Sequence, residues 1–329
     1  MFFFITAAAF AQRDSLVLKN GNIIVGEIKS MNRGVIIVET DYSKDDFNIE
    51  WSGLKEIYSK SRFLITLKNG ERINATFRSI DSLNRIFIEV GNGQLQLSTL
   101  DDIVYLKGLK SDFWSRVYAN VDLGLSVAKA NNIRQLNVSS NLGFYADKWK
   151  LDMHYSSNRA QQDNVAQTKR TESGIAFNYY LSKDWFLNTS VNTLSNTEQA
   201  LDLRFSGKLG FGKYLVHTNK AYLGVGGGLS ANRETFTNNT ESRSSLEVYA
   251  GGEANFFDIG DFSFLSNWFV YYGITETGRW RSDFKFDTKY KLPHDLFLKL
   301  GITLNYDNRP AIAGNETDYV YGFSIGWKL

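Results

Sequence analysis

The sequence has no cysteine and only two prolines among its 329 residues. The absence of cysteine excludes a disulfide framework and thiol chemistry. The scarcity of proline suits long hydrogen-bonded strands, because proline cannot donate to a strand ladder. No run of eighteen apolar residues occurs either, so the sequence predicts no transmembrane helix. A membrane β-barrel stays compatible with it, because alternating strands average to a mildly polar hydropathy.

The sequence also has no large excess of charge of one sign. It carries 37 Lys and Arg residues against 35 Asp and Glu residues, for a formal net charge of +2. Proteins that bind nucleic acids usually carry a basic surplus that contacts phosphates. The balance therefore indicates no nucleic-acid partner.

The first twelve residues read MFFFITAAAFAQ, a stretch that is almost entirely apolar or small. Residues 9–11 fit the A-x-A pattern of a signal-peptide cleavage site. Residues 1–11 are therefore predicted to be the end of a signal peptide, cut before Gln12. No Lys or Arg precedes the apolar stretch, and the simplest explanation is a true start farther upstream. The alternative is a frayed apolar N-terminus.

A repeat occupies the first hundred residues. Leu-Lys-Asn-Gly occurs at 18–21 and again at 67–70, and Asn-Gly between alternating strands is a strong hairpin signal. Two alternating segments follow each copy: 23–31 and 35–40, then 72–80 and 86–90. Residues 12–110 are therefore predicted to be a β domain of two small, strongly bent repeats, of the SH3-like or Sm-like barrel kind. Such barrels usually bind a peptide, a glycan or another subunit, and no residue cluster indicates which.

Residues 111–329 contain longer alternating segments and are predicted to form twelve strands. Apolar side chains occupy one face of most segments, and polar side chains or glycine occupy the other. Strands of soluble domains usually have about 5–6 residues, whereas about 9–11 residues cross a bilayer at a tilt. The predicted strands are 113–128, 133–145, 148–157, 170–181, 185–195, 200–213, 220–232, 243–256, 262–275, 279–292, 296–307 and 317–329.

The predicted connections alternate between short turns and longer polar loops. Short turns follow the even-numbered strands, at 146–148, 182–184, 258–261 and 292–295, with a moderate link at 214–220. Longer polar stretches follow the odd-numbered strands, such as 158–170, 232–242 and 308–317. This alternation is typical of an outer-membrane barrel of a Gram-negative envelope. An even strand count puts both barrel ends on the short-turn, periplasmic side, so we expect the domain of residues 12–110 in the periplasm.

The last strand alternates to the final residue as Y-x-Y-x-F-x-I-x-W-x-L, with Trp327 two positions before Leu329. Outer-membrane assembly machinery recognises terminal strands of this kind, which most often end in phenylalanine. We therefore expect that machinery and outer-membrane lipid as partners. A bilayer offers no water to free backbone groups, so a spanning sheet must close on itself. The predicted fold class is an all-β, antiparallel transmembrane β-barrel preceded by the small β domain.

The tenth predicted strand alternates most sharply. Its odd positions are all charged: Arg279, Arg281, Asp283, Lys285, Asp287, Lys289 and Lys291. Its even positions include Trp280, Phe284, Phe286 and Tyr290. We interpret the charged side as a ladder lining the lumen and the aromatic side as facing lipid. If the charges of this mostly basic ladder are unpaired, the lumen would favour anions weakly. If they pair with carboxylates of other strands, such as Glu172, Glu247 and Glu253, the paired charges would close the lumen.

The short β module, the long barrel and the terminal GFSIGW strand at 322–327 together resemble the uncharacterised family described as salt-induced outer membrane proteins. The resemblance covers most of the chain after residue 12 and rests on LKNG, the strand alternation and the terminal aromatic strand. It implies an outer-membrane location and carries over no chemistry and no functional residues.

One histidine raises the question of catalysis. His154 shares a strand face with Asp152 and Ser156, which suggests a hydrolase triad. Residues two apart on a strand lie about 7 Å apart and point the same way, so a nucleophile would have to come from a neighbouring strand. We interpret His154 as a residue lining the lumen, and keep a hydrolase built on His154 and Asp152 as the alternative. His217 and His294 are predicted to lie in solvated periplasmic turns.

No metal and no cofactor are predicted. No cluster of His, Asp and Glu has ligand spacing, and the glycines of 224–228 precede no helix, so they form no nucleotide loop. The predicted function is that of a non-enzymatic outer-membrane protein, either a narrow solute channel or an anchor for its periplasmic module. A periplasmic protein or the cell wall is the expected partner of residues 12–110. The rival structural interpretation is a large soluble β-sandwich or β-solenoid.

Overall fold

The computed structural model describes residues 14–80, 84–91, 93–109, 113–129, 132–163, 165–197, 201–237, 241–294, 296–309 and 316–327. The signal peptide predicted for residues 1–11 and the final two residues of the chain lie outside the described residues. The chain divides into two units, Met1–Lys68 with Arg72–Ser111 and Asn69–Glu71 with Asp112–Leu329. In the described ranges, no helix is both long enough and apolar enough to cross a membrane.

The first unit is built from short antiparallel strands and two 3₁₀ turns, at Trp51–Gly53 and Leu100–Asp102. Its described strands are β1 Asp14–Leu18, β2 Ile23–Asn32, β3 Val35–Glu39, β4 Phe47–Glu50, β5 Leu54–Tyr58, β6 Arg62–Leu67, β7 Arg72–Ser79, β8 Arg85–Val90, β9 Leu95–Thr99 and β10 Ile103–Leu109. Gly21 and Gly70 have φ angles of 88° and 79°, which the Asn-Gly turns before β2 and β7 require.

These ten strands form two copies of one pairing pattern. The first copy pairs in the order β5-β1-β2-β3-β4, and the second in the order β10-β6-β7-β8-β9. Pairing of β10 with β2 and of β5 with β7 joins the copies, so six strands form a closed ring. The strand pairing therefore repeats as the sequence does, with two more strands in each copy than the sequence indicated.

Alternate side chains of the ring form a hydrophobic core. Phe63 and Phe77, both fully buried, contact each other with ring centroids 5.3 Å apart. Trp51 Nε1 donates a hydrogen bond to the Leu100 carbonyl oxygen at 3.0 Å, which ties the 3₁₀ turn of one copy to that of the other. The apolar interior of this unit is that of an ordinary water-soluble β domain.

One carboxylate is buried in the first unit. Asp14 accepts hydrogen bonds from the Ile28 N–H at 2.9 Å, from Ser61 Oγ at 3.1 Å and from Ser59 Oγ. Burial raises the pKa of Asp14, although the three hydrogen bonds act in the opposite direction. The side chain joins β1 to β2 and to the segment after β5.

The second unit contains an antiparallel sheet of twelve strands that pair in chain order. The strands are β11 Val117–Ala128, β12 Ile133–Tyr145, β13 Trp149–Gln162, β14 Val165–Tyr180, β15 Trp185–Asn196, β16 Leu201–His217, β17 Ala221–Phe236, β18 Arg243–Ile259, β19 Phe262–Gly273, β20 Trp280–Lys291, β21 Leu296–Asp307 and β22 Thr317–Trp327. The predictions of an all-β chain and of twelve antiparallel strands are confirmed.

The connections lie at two ends of this sheet. One end, here the turn end, carries 146–148, 181–184, 218–220, 260–261 and 292–295. The other end, here the loop end, carries 129–132, 163–164, 197–200, 237–242, 274–279 and 308–316. The prediction of a long loop at 158–170 is wrong, because β13 and β14 continue as a paired ladder through polar residues such as Asn158 and Arg170. Polar sequence did not end these strands, because backbone pairing continues to Ala160 and Thr168 and, after a register shift, to Gln162 and Val165.

Strands β11 and β22 are the two edges of the sheet. They run antiparallel to each other, since the strand count is even. Among the described residues, the pairings do not include one between β11 and β22 that would close the sheet into a barrel. Residues 113–116, predicted as the start of the first strand, form a 3₁₀ turn instead.

Candidate functional site: the inner face of the twelve-stranded sheet

Exposure in this sheet is the reverse of that in a soluble protein. In β17, Leu229 is 48% exposed, whereas the next residue, Ser230, is fully buried. In β18, Val248 is 44% exposed, whereas Glu247 beside it is 1% exposed. The register pairs Ser230 with Glu247 and Leu229 with Val248, so the buried polar residues share one face. We call this the inner face, and the face of Leu229 and Val248 the outer face.

The sheet curves toward its inner face. Lys208 on β16 donates a hydrogen bond to the Tyr271 hydroxyl on β19 at 2.9 Å, although two strands lie between them. Neighbouring strands are about 4.8 Å apart, so a flat sheet would hold these two strands about 14 Å apart. The contact across β17 and β18 therefore shows that the inner face is concave.

The outer face is an apolar and aromatic surface. One row of directly paired residues crosses nine strands: Phe144, Leu151, Phe177, Thr189, Leu209, Leu229, Val248, Tyr272 and Trp280. Rings also meet near the turn end, where the centroids of Trp185 and Phe211 are 4.6 Å apart. An apolar band with aromatic rings near its edge is the surface that a strand presents to lipid.

A buried ion pair crosses the inner face. The Glu247 carboxylate accepts hydrogen bonds from the Arg281 guanidinium at 2.6 and 3.1 Å, and from Asn232 Nδ2 at 3.1 Å. The same guanidinium lies 4.7 Å from the centroid of the Tyr271 ring. Bidentate pairing of this kind satisfies both charges and fixes their geometry. Arg281, a member of the predicted ladder, is therefore neutralised by a carboxylate of β18.

A second charge network lies at the loop end. Arg279 Nη1 lies 2.7 Å from the Glu276 carboxylate, and Arg279 Nη2 lies 2.5 Å from the Asp307 carboxylate. Glu276 also pairs with Arg243 of β18. Two guanidinium groups and two carboxylates therefore compensate one another beside the connection at 274–279.

The other ladder residues lie farther toward the turn end. Lys285 Nζ is 3.3 Å from Asp287, and Lys289 Nζ lies 4.7 Å from the centroid of the Phe297 ring. Asp283 pairs in register with Phe269 and Asn305, and the Lys291 N–H donates to the Asp261 carbonyl oxygen at 2.8 Å. Arg279 precedes β20, and the other six residues alternate along it.

One level of the inner face carries amide, hydroxyl and imidazole groups without carboxylates or cations. Eight directly paired residues define it: Asn120, Asn141, His154, Gly174, Asn192, Ser206, Asn232 and Ser245. We call this row the neutral belt. Charged groups flank it, with the Arg204–Glu234 pair, 2.7 Å apart, on the loop side and Glu247 on the turn side.

A cavity of about 190 Å³ opens at the neutral belt. Its lining includes His154, Asn192 and Ser206 of the belt, with Glu172 and Arg204 on the loop side. Both charged side chains already have partners on this face: Glu172 accepts from Arg170 Nε at 2.7 Å, and Arg204 pairs with Glu234. The cavity thus offers donors and acceptors with balanced charge, which suits an uncharged or zwitterionic polar solute.

Gly174 makes room for this lining. A Cβ at Gly174 would collide with Asn192 Oδ1 and His154 Cε1, so the amide and the imidazole rest against the bare backbone of β14. Rings cover other glycines of the inner face in the same way: Tyr118 of the neighbouring strand covers Gly143, and Tyr249 of β18 reaches across β17 to cover Gly210. These rings fill space inside the curve of the sheet and narrow it.

The residues of the hydrolase alternative are not assembled into a triad. The Asp152 carboxylate accepts a hydrogen bond from the Tyr118 hydroxyl and pairs with Lys150 Nζ at 2.8 Å. Within the described part of the chain, no hydrogen bond joins His154 to Asp152 or Ser156. Asn141 and Gly174 are the cross-strand neighbours of His154.

The prediction of a solvated turn for His217 is wrong. β16 extends to His217, four residues beyond the predicted strand end, and places its Nδ1 2.6 Å from Asp184 Oδ1. The imidazole also stacks on Tyr214, with centroids 4.8 Å apart. His294 follows β20, and its carbonyl oxygen accepts a hydrogen bond from Trp327 Nε1 at 3.0 Å.

No metal centre is formed by the described residues, where no three His, Asp and Glu side chains are placed to hold an ion. The neutral belt is the feature that sequence reasoning missed. Its members are scattered over eight strands, and only the register of each pair brings them to one level. The signal available in the sequence was a polar residue or glycine on the inner side of each strand.

The chain belongs to the family described as "Protein of unknown function, DUF481", whose model matches residues 121–329. The prediction of an uncharacterised family is confirmed, and its description as salt-induced stays a prediction. No curated protein matches the chain. Three solved chains match it. One of them is described as "NanC porin structure in rhombohedral crystal form", with 11% identity, 65% of this chain and 99% of that chain covered, and a TM-score of 0.35.

Proposed function

We propose that the second unit is a closed β-barrel of the outer membrane that passes small polar solutes and performs no catalysis. The observation that carries this proposal is the inverted exposure of the sheet, with Leu229 and Val248 outward and Ser230 and Glu247 buried. Exposing an apolar face to water costs about 25 cal/mol per Å². In a bilayer the same face is in contact with acyl chains, and only the concave face needs polar groups.

Closure of the barrel requires β11 to pair with β22. An unsatisfied backbone N–H or C=O group in a bilayer costs several kcal/mol, so two open edges cannot persist there. The outward side chains of these edges are unusually exposed, with Leu123 at 74% and Phe323 at 66%. Pairing of the two antiparallel edges would cover part of both.

The neutral belt and the compensated charges support the solute class that we propose. Arg279 and Arg281 each have carboxylate partners, so they do not add a free positive field to the lumen. The belt between Asn192 and Asn232 offers amide and hydroxyl groups at a level without carboxylates or cations. Small uncharged or zwitterionic solutes fit this lining, and inorganic ions would pass with little preference.

The turn end faces the periplasm in this proposal, and the first unit lies there. We infer that this two-repeat domain is of the SH3-like or Sm-like barrel kind, with a periplasmic protein or the cell wall as its partner. The aromatic alternation of β22 supports recognition by the outer-membrane assembly machinery.

Single-channel conductance of the refolded protein in a planar bilayer tests the proposal. The expected result is steady, small steps with nearly equal permeability to potassium and chloride. Refolding in vesicles, followed by protease protection of the sheet, is measured in parallel. A protein that inserts but never conducts would make the barrel an anchor for the first unit. A protein that stays water-soluble and folded without lipid would reject the membrane barrel altogether.

A further inference from the structure

Three basic residues lie together on the outer face near the loop end. Arg159 of β13 is directly opposite Lys169 of β14, and Arg134 of β12 is diagonal to Arg159, whose direct partner is Leu136. Directly opposed Cβ atoms lie about 4.5–5.5 Å apart, and diagonal residues about 7–8 Å apart. The three cations therefore lie close enough to contact one ligand.

These cations have no protein counter-charge in the described part of the chain. Like charges directly opposite each other destabilise a sheet, so Arg159 and Lys169 need an anion. The nearby described carboxylates form no ion pair with these cations: Asp163 accepts from Asn132 Nδ2 at 2.5 Å, and Glu172 binds Arg170 on the inner face. Outer-facing positions of β12 to β15 contain no Asp or Glu.

Their height on the sheet matches the boundary of a bilayer. Arg159 is ten residues from Trp149 on the same face of β13, and Lys169 is ten residues from Tyr179 on β14. Ten residues span about 33 Å along a strand, and a tilt of about 40° reduces this to about 25 Å. The apolar band of an outer-membrane barrel is about 25 Å tall. Aromatic rings then mark one interface, and the cations lie at the other.

We propose that Arg134, Arg159 and Lys169 bind the phosphate of an anionic lipid headgroup in the outer leaflet. The inference rests on the proposed membrane location. Guanidinium groups bind phosphate oxygens through paired N–H donors, and the lysine adds a compact charge. A lipid is the fitting source because the cluster lies on the outer face beside apolar side chains such as Leu136, where acyl chains would lie.

The test compares lipid retention by the refolded full chain in vesicles of phosphatidylcholine with and without one part in five of lipid A. The double variant Arg159→Gln/Lys169→Gln is expected to lose about 25-fold in lipid A affinity, at about fivefold per cation. The matched control Lys213→Gln/Arg233→Gln removes two outer-face charges elsewhere on the sheet and is expected to match the wild type. The exchange variant Arg159→Lys/Lys169→Arg keeps both charges and is expected to retain most of the affinity.

Insertion into pure phosphatidylcholine separates this inference from the proposed function. Insertion of all variants, with equal lipid A retention in wild type and Arg159→Gln/Lys169→Gln, would overturn the lipid site alone. Equal losses in the test pair and the control pair would reduce the effect to net charge and overturn it too. Displacement of lipid A by millimolar inorganic phosphate would identify a free-anion site instead of a lipid site. Failure of the wild type to insert into either vesicle would overturn both proposals.

Discussion

Glu247 and Arg281 form a two-point ion pair across β19, from β18 to β20, on the concave face of the twelve-stranded sheet. The carboxylate is 1% exposed, so its charge depends on this partner and on Asn232. A buried charge that loses its partner costs far more than the pair contributes as a whole. A register of these strands that separated the pair would therefore leave Glu247 buried and unpaired.

Removal of Arg281 alone is expected to destabilise the folded barrel by about 3–5 kcal/mol, because it leaves Glu247 buried and unpaired. The measurement is urea unfolding in lipid vesicles. The double variant Arg281→Met/Glu247→Gln is expected to recover most of the loss. If Arg281→Met lowered the free energy of unfolding equally in the wild type and in the Glu247→Gln variant, the two residues would not be coupled.

Two glycines of neighbouring strands are expected to respond oppositely to alanine. A Cβ at Gly228 would collide with the backbone carbonyl oxygen of Leu209, whereas a Cβ at Gly207 would meet no atom within 4 Å. Gly228→Ala is expected to cost about 2–3 kcal/mol, because the strand pairing must shift. Gly207→Ala is expected to be neutral or slightly stabilising, since alanine restricts the unfolded chain. Unfolding midpoints of both variants in the same vesicles provide the check, and equal midpoints would contradict the close backbone approach.

A carboxylate introduced into the neutral belt is expected to change ion selectivity. Asn192→Asp places a negative charge beside the cavity, where a narrow lumen strengthens electrostatic interactions. The potassium-to-chloride permeability ratio is expected to rise several-fold, measured as a reversal potential under a salt gradient. Asn48→Asp makes the same chemical change at an exposed position of the first unit and is expected to leave the ratio unchanged. Equal ratios in all three proteins would show that the belt does not line the conducting path.

The stability of the first unit is expected to depend on the charge of Asp14. Burial raises its pKa in the folded state, so folding favours the protonated carboxyl. The resulting stability is fully present below the unfolded pKa of about 3.9 and is lost as the pH rises through the higher folded pKa. As the pH rises from the unfolded pKa through the folded pKa, the free energy of unfolding of the wild type should therefore fall relative to that of Asp14→Asn. The measurement uses a fragment of residues 12–110. Its unfolding is followed by the fluorescence of Trp51, the only tryptophan in that range. A difference that stays constant with pH would contradict the raised pKa.

Much of the fold followed from local patterns. Period-two alternation located twelve long strands, with β12 and β21 at their observed bounds, because the side-chain period of a strand is fixed by its backbone. The recurrence of Leu-Lys-Asn-Gly indicated the doubled first unit, because Asn-Gly favours positive φ in a tight turn. Polarity alone misplaced the loop at 158–170, since polar residues occupy both faces of the paired strand ends there, as they would occupy a loop.

The sequence by itself determined that residues such as Arg281 and Glu247 alternate with apolar neighbours, and hence that they share a face with other polar side chains. Only the tertiary structure decided which of them meet. Partners on different strands are selected by register and by the curvature of the sheet, neither of which is encoded by any single segment. The neutral belt, the Glu247–Arg281 pair and the opposed cations Arg159 and Lys169 all arise in this way. Each depends on backbone hydrogen bonds between strands, which bring together residues that no local pattern relates.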